Sequence, residues 1–395
     1  MAKKIIHIYW GFTFLFTLSL SFFFATYQLF MASHGLTLME MSLVAFSYVA
    51  VSFLLEIPTG SFADIFGRGK SVVLGCFITA LSFLIYFFAH SFWFFILAEV
   101  VGAFGITFIS GALEAWMVDS VQHHGYTGDL EKIFANDGFF SLAGKMTGSL
   151  SGAFLGEIDL SLPWIGSAVG LFILGIYCLY NLKDCHFVPR PLALRWNFKP
   201  IRENAKDSWR YGVKHRSVFY IIIFGAILLA SLETVNKQWT LLFSDYGLSV
   251  KDMGFIFNGI ALAIFLGERL SPYLKKLIKK EKDRLILSQA VTGLGIIIAA
   301  QTIGLFPALT AFFVHEIGRG LFRPLKSAYL NKRLESQTRA TVLSFDSMIG
   351  KLGGGVGLIA SGVLSQTFSI PCAWTIAGAV ILTAIPIFLK LKNGD

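Results

Sequence analysis

The chain has 395 residues, 55% of them hydrophobic and only 14% charged, with a mean hydropathy of +0.67. Soluble globular domains carry about 25% charged residues, so this composition excludes one and marks an integral membrane protein. The net charge of +9 would suit a nucleic-acid partner, but the bases gather in alternate connections between apolar segments and read as a topology signal instead.

Apolar segments near 20 residues long, each enough as a helix for a hydrocarbon core of about 30 Å, recur along the whole chain. Twelve spans are expected: Tyr9–Ala32, Met39–Phe62, Ser71–His90, Phe92–Asp119, Phe134–Gly156, Leu162–Leu182, Val218–Phe243, Met253–Leu274, Leu285–Ile303, Phe306–Leu330, Ala340–Leu364 and Ile370–Leu389. The first follows Lys3 and Lys4 but is too long for the apolar part of a signal peptide and lacks a clear small-residue cleavage site, so it reads as an anchor. The four cysteines, Cys76, Cys178, Cys185 and Cys372, lie on or near the spans without paired metal spacing and imply neither a disulfide framework nor a zinc site.

Of the 33 Lys and Arg residues, 25 fall in alternate connections and only Lys251 in the opposite ones, while 7 lie within spans. This asymmetry places both termini and the long connection after the sixth span in the cytoplasm. That connection, residues 183–216, carries Pro189, Pro191 and Pro200 and then a basic run, and it divides six spans (1–182) from six (217–395). It reads chiefly as a solvated, orientation-setting loop, with a short amphipathic helix on the anionic leaflet as the alternative.

The halves resemble each other. SLAGKMTG at 141–148 matches SMIGKLGG at 347–354, each with a lysine at mid-span. Upstream, LEAWMVDS at 113–120 stands opposite LKSAYLNK at 325–332. Two matches in the same order and in equivalent spans point to an internal repeat.

Between the second and third spans the chain reads EIPTGSFADIFGRGKS, residues 56–71. Gly67 suits a tight turn and Gly60 close packing, while Asp64 at a helix end can pair with Arg68 or cap a neighbouring helix. Gly60, Asp64, Gly67, Arg68 and Lys70 resemble the first-hairpin signature of the major facilitator superfamily, although Ile65 and Gly69 stand where basic residues are often found. The resemblance extends over essentially the whole chain. It implies an all-α integral membrane protein with twelve transmembrane helices in two pseudo-symmetric six-helix bundles around a central cavity. It also implies that Arg68 reaches Asp119 at the inner end of the fourth span, forming a latch for the outward-facing state. The counterpart in the second half, residues 267–284, is a poor copy. Gly144, Gly148, Gly152 and Gly156 line the fifth span without the proline common in antiporters of the family. They suit close helix contact, either static or sliding.

The resemblance places the first, fourth, seventh and tenth spans around the solute. In the tenth, His315, Arg319 and Arg323 follow i, i+4, i+8 with Lys326 three residues later, so the four are expected on one face. Glu316 and Arg319 can pair at i, i+3, and Glu233 with Lys237 at i, i+4 in the seventh span. Glu99, Tyr27 and Gln28 complete the candidates for solute or proton binding, with Glu56 and Asp137 as alternative proton sites. The repeat sets Glu114 opposite Lys326, an expected inner gate when the two halves close. A charge at the bilayer centre costs about 2.5 to 3.5 kcal/mol on insertion scales, so these groups need partners or water. In the bland reading they neutralise one another; in the sharp one some of them bind an anionic or zwitterionic solute.

No phosphate-binding loop, metal cluster or catalytic triad is found, so neither ATP-driven pumping nor enzymatic hydrolysis is supported and no cofactor is expected. The expectation is a monomeric secondary transporter of a small organic solute in the inner (plasma) membrane. Its partners are the solute, protons and the lipid bilayer, with no nucleic acid, and proton-coupled efflux is preferred. The alternatives are proton-coupled uptake of an organic anion and a non-transporting receptor or scaffold.

Overall fold

The computed structural model describes residues 1–184, 216–334 and 336–391, and every regular element among them is helical. The first half comprises α1 (Ala2–Ser21), α2 (Tyr27–Ser33), α3 (Leu38–Phe66), α4 (Arg68–Phe87), α5 (Phe92–Ile109), α6 (Ala112–His123), α7 (Leu130–Ile158) and α8 (Leu162–Asn181). The second comprises α9 (Arg216–Ser244), α10 (Val250–Leu277), α11 (Glu281–Gln301), α12 (Leu305–Arg333), α13 (Ser336–Thr367), α14 (Ile370–Ala384) and a closing 3-10 helix, Ile385–Lys390. Most of the connection expected at 183–216, with its prolines and Cys185, lies outside the described residues.

The α1–α2 and α5–α6 pairs each make up one expected span, which gives twelve helical passes. Among the described residues, nine stretches are long and apolar enough to cross a membrane by length and composition. The three remaining passes are α1 with α2, α7 and α12. One is broken and the other two carry polar residues at mid-helix, which is where a transporter places its working groups.

Two compact units emerge. One contains Met1–Leu36, the described part of Val44–Trp196, and Leu248–Asn258; the other contains Thr37–Leu43 and the described parts of Asn197–Gly247 and Gly259–Asp395. Within the first, α4 packs on α5 and α8, while α1 packs on α7 and α8. Within the second, α11 packs on α12 and α14, while α9 packs on α13 and α14. The internal scheme is therefore the same in both. The start of α10 belongs with the first unit, where Ser149 Oγ donates to Asn258 Oδ1 at 2.9 Å and the Lys251 amide donates to Glu157 at 3.0 Å. The start of α3 belongs with the second, where the Leu38 amide donates to Gln366 at 3.1 Å.

Glycine faces let the helix backbones meet. A Cβ at Gly144, Gly148 or Gly152 of α7 would overlap the carbonyl oxygens of Phe14, Leu18 and Phe22, so α1 lies along this groove. In the second unit, Gly353 and Gly357 of α13 receive the backbone of Ala226 and Ala230 on α9 in the same way. Gly60 differs from the expectation: a Cβ there would meet nothing within 4 Å, so close packing does not explain it.

Two passes are interrupted. The first breaks at residues 22–26, between α1 and α2. The fourth breaks at Ser110 and Gly111, where Gly111 takes φ +74°, a left-handed conformation that favours glycine. Capping begins the passes on either side of the connections: Asp129 accepts from the Glu131 amide at 2.8 Å to start α7, and Ser369 accepts from the Cys372 amide at 3.2 Å to start α14.

The groove predicts a sharp positional contrast on one helix. Gly152→Ala should lower thermal stability in detergent by about 1 to 3 kcal/mol, because the new methyl overlaps the Phe22 backbone. Gly138→Ala, at a site with nothing within 4 Å, should be neutral or slightly stabilising. Equal losses would show that α1 does not lie in the glycine groove.

Candidate functional site

In the second unit the polar stripe of α12 forms a buried cluster. His315 is fully buried, with Nε2 3.4 Å from Glu316 Oε1, and neither of its ring nitrogens has a hydrogen-bond partner among the described residues. The space for His315 comes from Gly295 on α11, where a Cβ would press on the His315 backbone and Cβ. Glu316 is 2% exposed and meets Arg319 Nη1 at 3.3 Å. The same guanidinium nitrogen donates to Asn236 Oδ1 on α9 at 2.7 Å, while the Arg319 side chain stays 28% exposed. The structure therefore brings Glu316, His315 and Arg319 together and adds Asn236. Beside them Phe312 makes ring contacts with Trp239, Phe243, His315 and Trp374.

Further along, the stripe does not keep to one face. A step of four residues advances about 40° around a helix, so the side chains fan out. Arg323 is exposed and stands 3.8 Å from Glu268 on α10, whereas Lys326 donates to Asp346 on α13 at 2.6 Å. Gly225 on α9 leaves room for the Lys326 ammonium, which a Cβ there would crowd at 2.5 Å. Glu233 and Lys237 are half-buried on α9, and Glu114 is exposed on α6. Lys326 thus finds its acid, Asp346, within its own unit.

In the first unit, Tyr27 and Tyr86 both donate to Glu99 Oε1, at 2.5 and 2.6 Å. Glu99 is half-buried, and Gln28 is buried beside Tyr27 on α2. Asp137 on α7 accepts from Thr13 on α1 at 2.5 Å. Glu56, the other alternative acid, is exposed on α3.

At the first hairpin, Arg68 donates to the Ala115 carbonyl at 2.9 Å and to the Asp119 carboxylate. Asp64 is half-buried and Lys70 exposed. Asp184, just past α8, is a component that sequence reasoning missed. Its carboxylate accepts from the Gly69 amide at 2.9 Å and the Lys70 amide at 3.3 Å, seating on the positive end of α4. A Cβ at Gly67 would collide with that carboxylate and one at Gly69 would crowd the Leu182 carbonyl at 2.5 Å, so the glycines make the dock. Only the approach of α8 to α4 brings Asp184 there, and no local pattern signals it.

The second unit carries a related junction with reversed charge. Glu281 begins α11, and its carboxylate accepts from Arg333 at 2.7 Å and from Lys332 at 3.5 Å, both at the end of α12. Arg333 also lies over the Tyr329 ring, 3.5 Å from its centroid. The second hairpin is closed by the buried Arg284, which donates to the Ile278 and Lys279 carbonyls at 2.8 and 3.1 Å. Among the described residues no group of three or more His, Cys, Asp or Glu side chains could hold a metal ion.

The sequence profile of the Major Facilitator Superfamily matches residues 9–288 and 219–394. The chain is 23% identical over 403 residues to an uncharacterized MFS-type transporter, YxaM, of Bacillus subtilis, covering 98% of this chain and 97% of the relative. It is 24% identical to multidrug resistance protein 2 of Bacillus subtilis, covering 87% and 84%. Its fold is similar to the crystal structure of the nucleoside transporter NupG, with a TM-score of 0.80 at 15% identity, covering 98% of this chain and 100% of that one.

Burial separates the two charge junctions energetically. Asp119 is 60% exposed, so Asp119→Asn should change thermal stability by less than about 1 kcal/mol. Glu281 is 20% exposed and serves two cations, so Glu281→Gln should cost about 1.5 to 3 kcal/mol. Thermal unfolding of the purified variants checks the order, and the reverse order would refute it.

Proposed function

The chain belongs to the Major Facilitator Superfamily, and on that premise we propose that it is a secondary active transporter of a small organic solute, working by alternating access and coupled to protons. The observation that carries this reading is the preorganised guanidinium of Arg319. It is steadied by Asn236 and by the buried Glu316, yet it remains partly open. A guanidinium held in this way offers paired donors to a carboxylate or phosphate on the solute. Glu316 neutralises it while the site is empty, which lowers the cost of keeping a cation within the membrane.

The preferred direction is efflux by exchange with protons. It is supported by similarity to a relative named for multidrug resistance. A second reading, uptake of an organic anion together with a proton, is favoured by the cluster itself. Protonating Glu316 would remove the negative partner of Arg319 and free the guanidinium to take an anion at the same time. Both readings use two bundles of six passes, residues 1–182 and 217–395, rocking around the solute, and Lys and Arg placement sets the termini in the cytoplasm of a cell with an inner (plasma) membrane.

Proteoliposomes with an imposed pH gradient separate the readings once a ligand has been found by thermal-shift screening. Solute accumulating with inward proton flow means uptake, whereas solute moving against proton flow means efflux. Absence of solute counterflow would instead mark a receptor or scaffold. Arg319→Ala should abolish counterflow while the protein stays folded and inserted, and Arg319→Lys should restore only part of it, because an ammonium cannot donate in the same planar pair. Undiminished counterflow by the Ala variant would remove Arg319 from the site.

A further inference from the structure

Glu99 on α5 receives two tyrosine hydroxyls on a single carboxylate oxygen. Both rings are buried against Trp164, Tyr27 with its centroid at 6.0 Å, but the two tyrosines stand on different kinds of backbone. Tyr86 lies flat against Trp164, with centroids 4.0 Å apart and planes 6° apart, and packs on Phe95 as well. Trp164 is itself fully buried, so the core of the first unit fixes this hydroxyl. Tyr27 is instead the first residue of α2, a seven-residue helix that follows the break at residues 22–26. So short a helix has little stability of its own, and its placement depends on packing. The break gives the backbone a point at which α2 can turn without disturbing α1, as interrupted passes do in other transporters.

We propose that Glu99 carries the coupling proton of the transport cycle and that Tyr27, moving with α2 at the break in the first pass, controls how tightly that proton is held. The proposal rests on the efflux reading above and adds the identity of the proton site. Hydroxyl donors to a carboxylate favour its ionised form. With Tyr27 in place, Glu99 has both tyrosine donors; with α2 turned away, it loses one of them and binds a proton more readily. The carboxylate takes up one proton to become the neutral acid, and the return of Tyr27 expels that same proton, with no other bond made or broken.

The surroundings fit this role. Glu99 is half-buried, open enough for a proton to arrive and enclosed enough for two hydrogen bonds to matter. Tyr48 on α3 lies within electrostatic reach of Glu99, and the rings of His34 and His90 stand 5.3 Å apart. His34 also touches Phe95, which lies one helical turn from Glu99 on α5. Because Glu99 and Arg319 stand in different units, solute and proton need not share a side chain. Exchange then requires that either one, but not both, permit the change of state.

The test needs no solute. Protein reconstituted in liposomes is compared by infrared difference spectroscopy between alkaline and acid pH. The parent should gain a protonated-carboxyl band that is missing from Glu99→Gln. In Tyr86→Phe and Tyr27→Phe the midpoint of that band should rise by about one to two pH units, the effect of losing one hydrogen bond to a charged group. Circular dichroism confirms that each variant is folded. An unchanged band in Glu99→Gln overturns the proposal, as does an unchanged midpoint in Tyr27→Phe. Solute flux plays no part in this measurement, so its failure is distinct from a failure of the efflux reading.

Discussion

Charge inside a hydrocarbon layer must be answered by a partner within reach, and the Glu316–Arg319 pair of α12 is where that constraint bears hardest. A glutamate 2% exposed would be untenable as an isolated ion. Its pairing with Arg319, and the hydrogen bond from Arg319 to Asn236, tie α12 to α9. Lys326 repeats the solution lower on the same helix by reaching Asp346 on α13. The polar stripe is thus tied to neighbouring helices through Arg319, Arg323 and Lys326.

Those cross-links require backbones at short range, and the glycines supply it. Gly144, Gly148 and Gly152 draw α1 onto α7, which brings Thr13 to Asp137; Gly353 and Gly357 draw α9 onto α13, where Gln238 bonds Ser361 and Ser365. Gly295 and Gly225 act locally, making room for His315 and Lys326. Small residues and ionisable residues therefore belong to one design. Where a charged or polar side chain is taken inside, a neighbouring helix gives up its own side chain to admit it.

The twelve passes and the internal repeat were legible in the sequence because both rest on apolar length and on matches such as SLAGKMTG with SMIGKLGG. The Glu316–Arg319 pair was legible from i, i+3 spacing, and the encounter of Arg68 with Asp119 only from the resemblance to the family. Asn236, Tyr86, Asp346 and Asp184 were not, since each comes from another helix or a connection and its role depends on how that element is rotated. The charge-reversed junction at Glu281 was hidden for a different reason. Residues 267–284 resemble the first hairpin poorly, and the start of α11 presents Glu281 where the start of α4 presents Arg68, although a charge pair with the end of the next pass is retained. The breaks at residues 22–26 and at Gly111 also escaped notice, because apolar residues run on through them.

Glu316 and Arg319 stand in the membrane as one neutral unit. A double-mutant cycle of Glu316→Gln and Arg319→Gln, read by thermal unfolding of the purified protein, tests it most directly. Each single change should cost about 3 to 5 kcal/mol by leaving the other charge without its partner, and the double variant should cost markedly less than the sum. Strictly additive losses would contradict the claim.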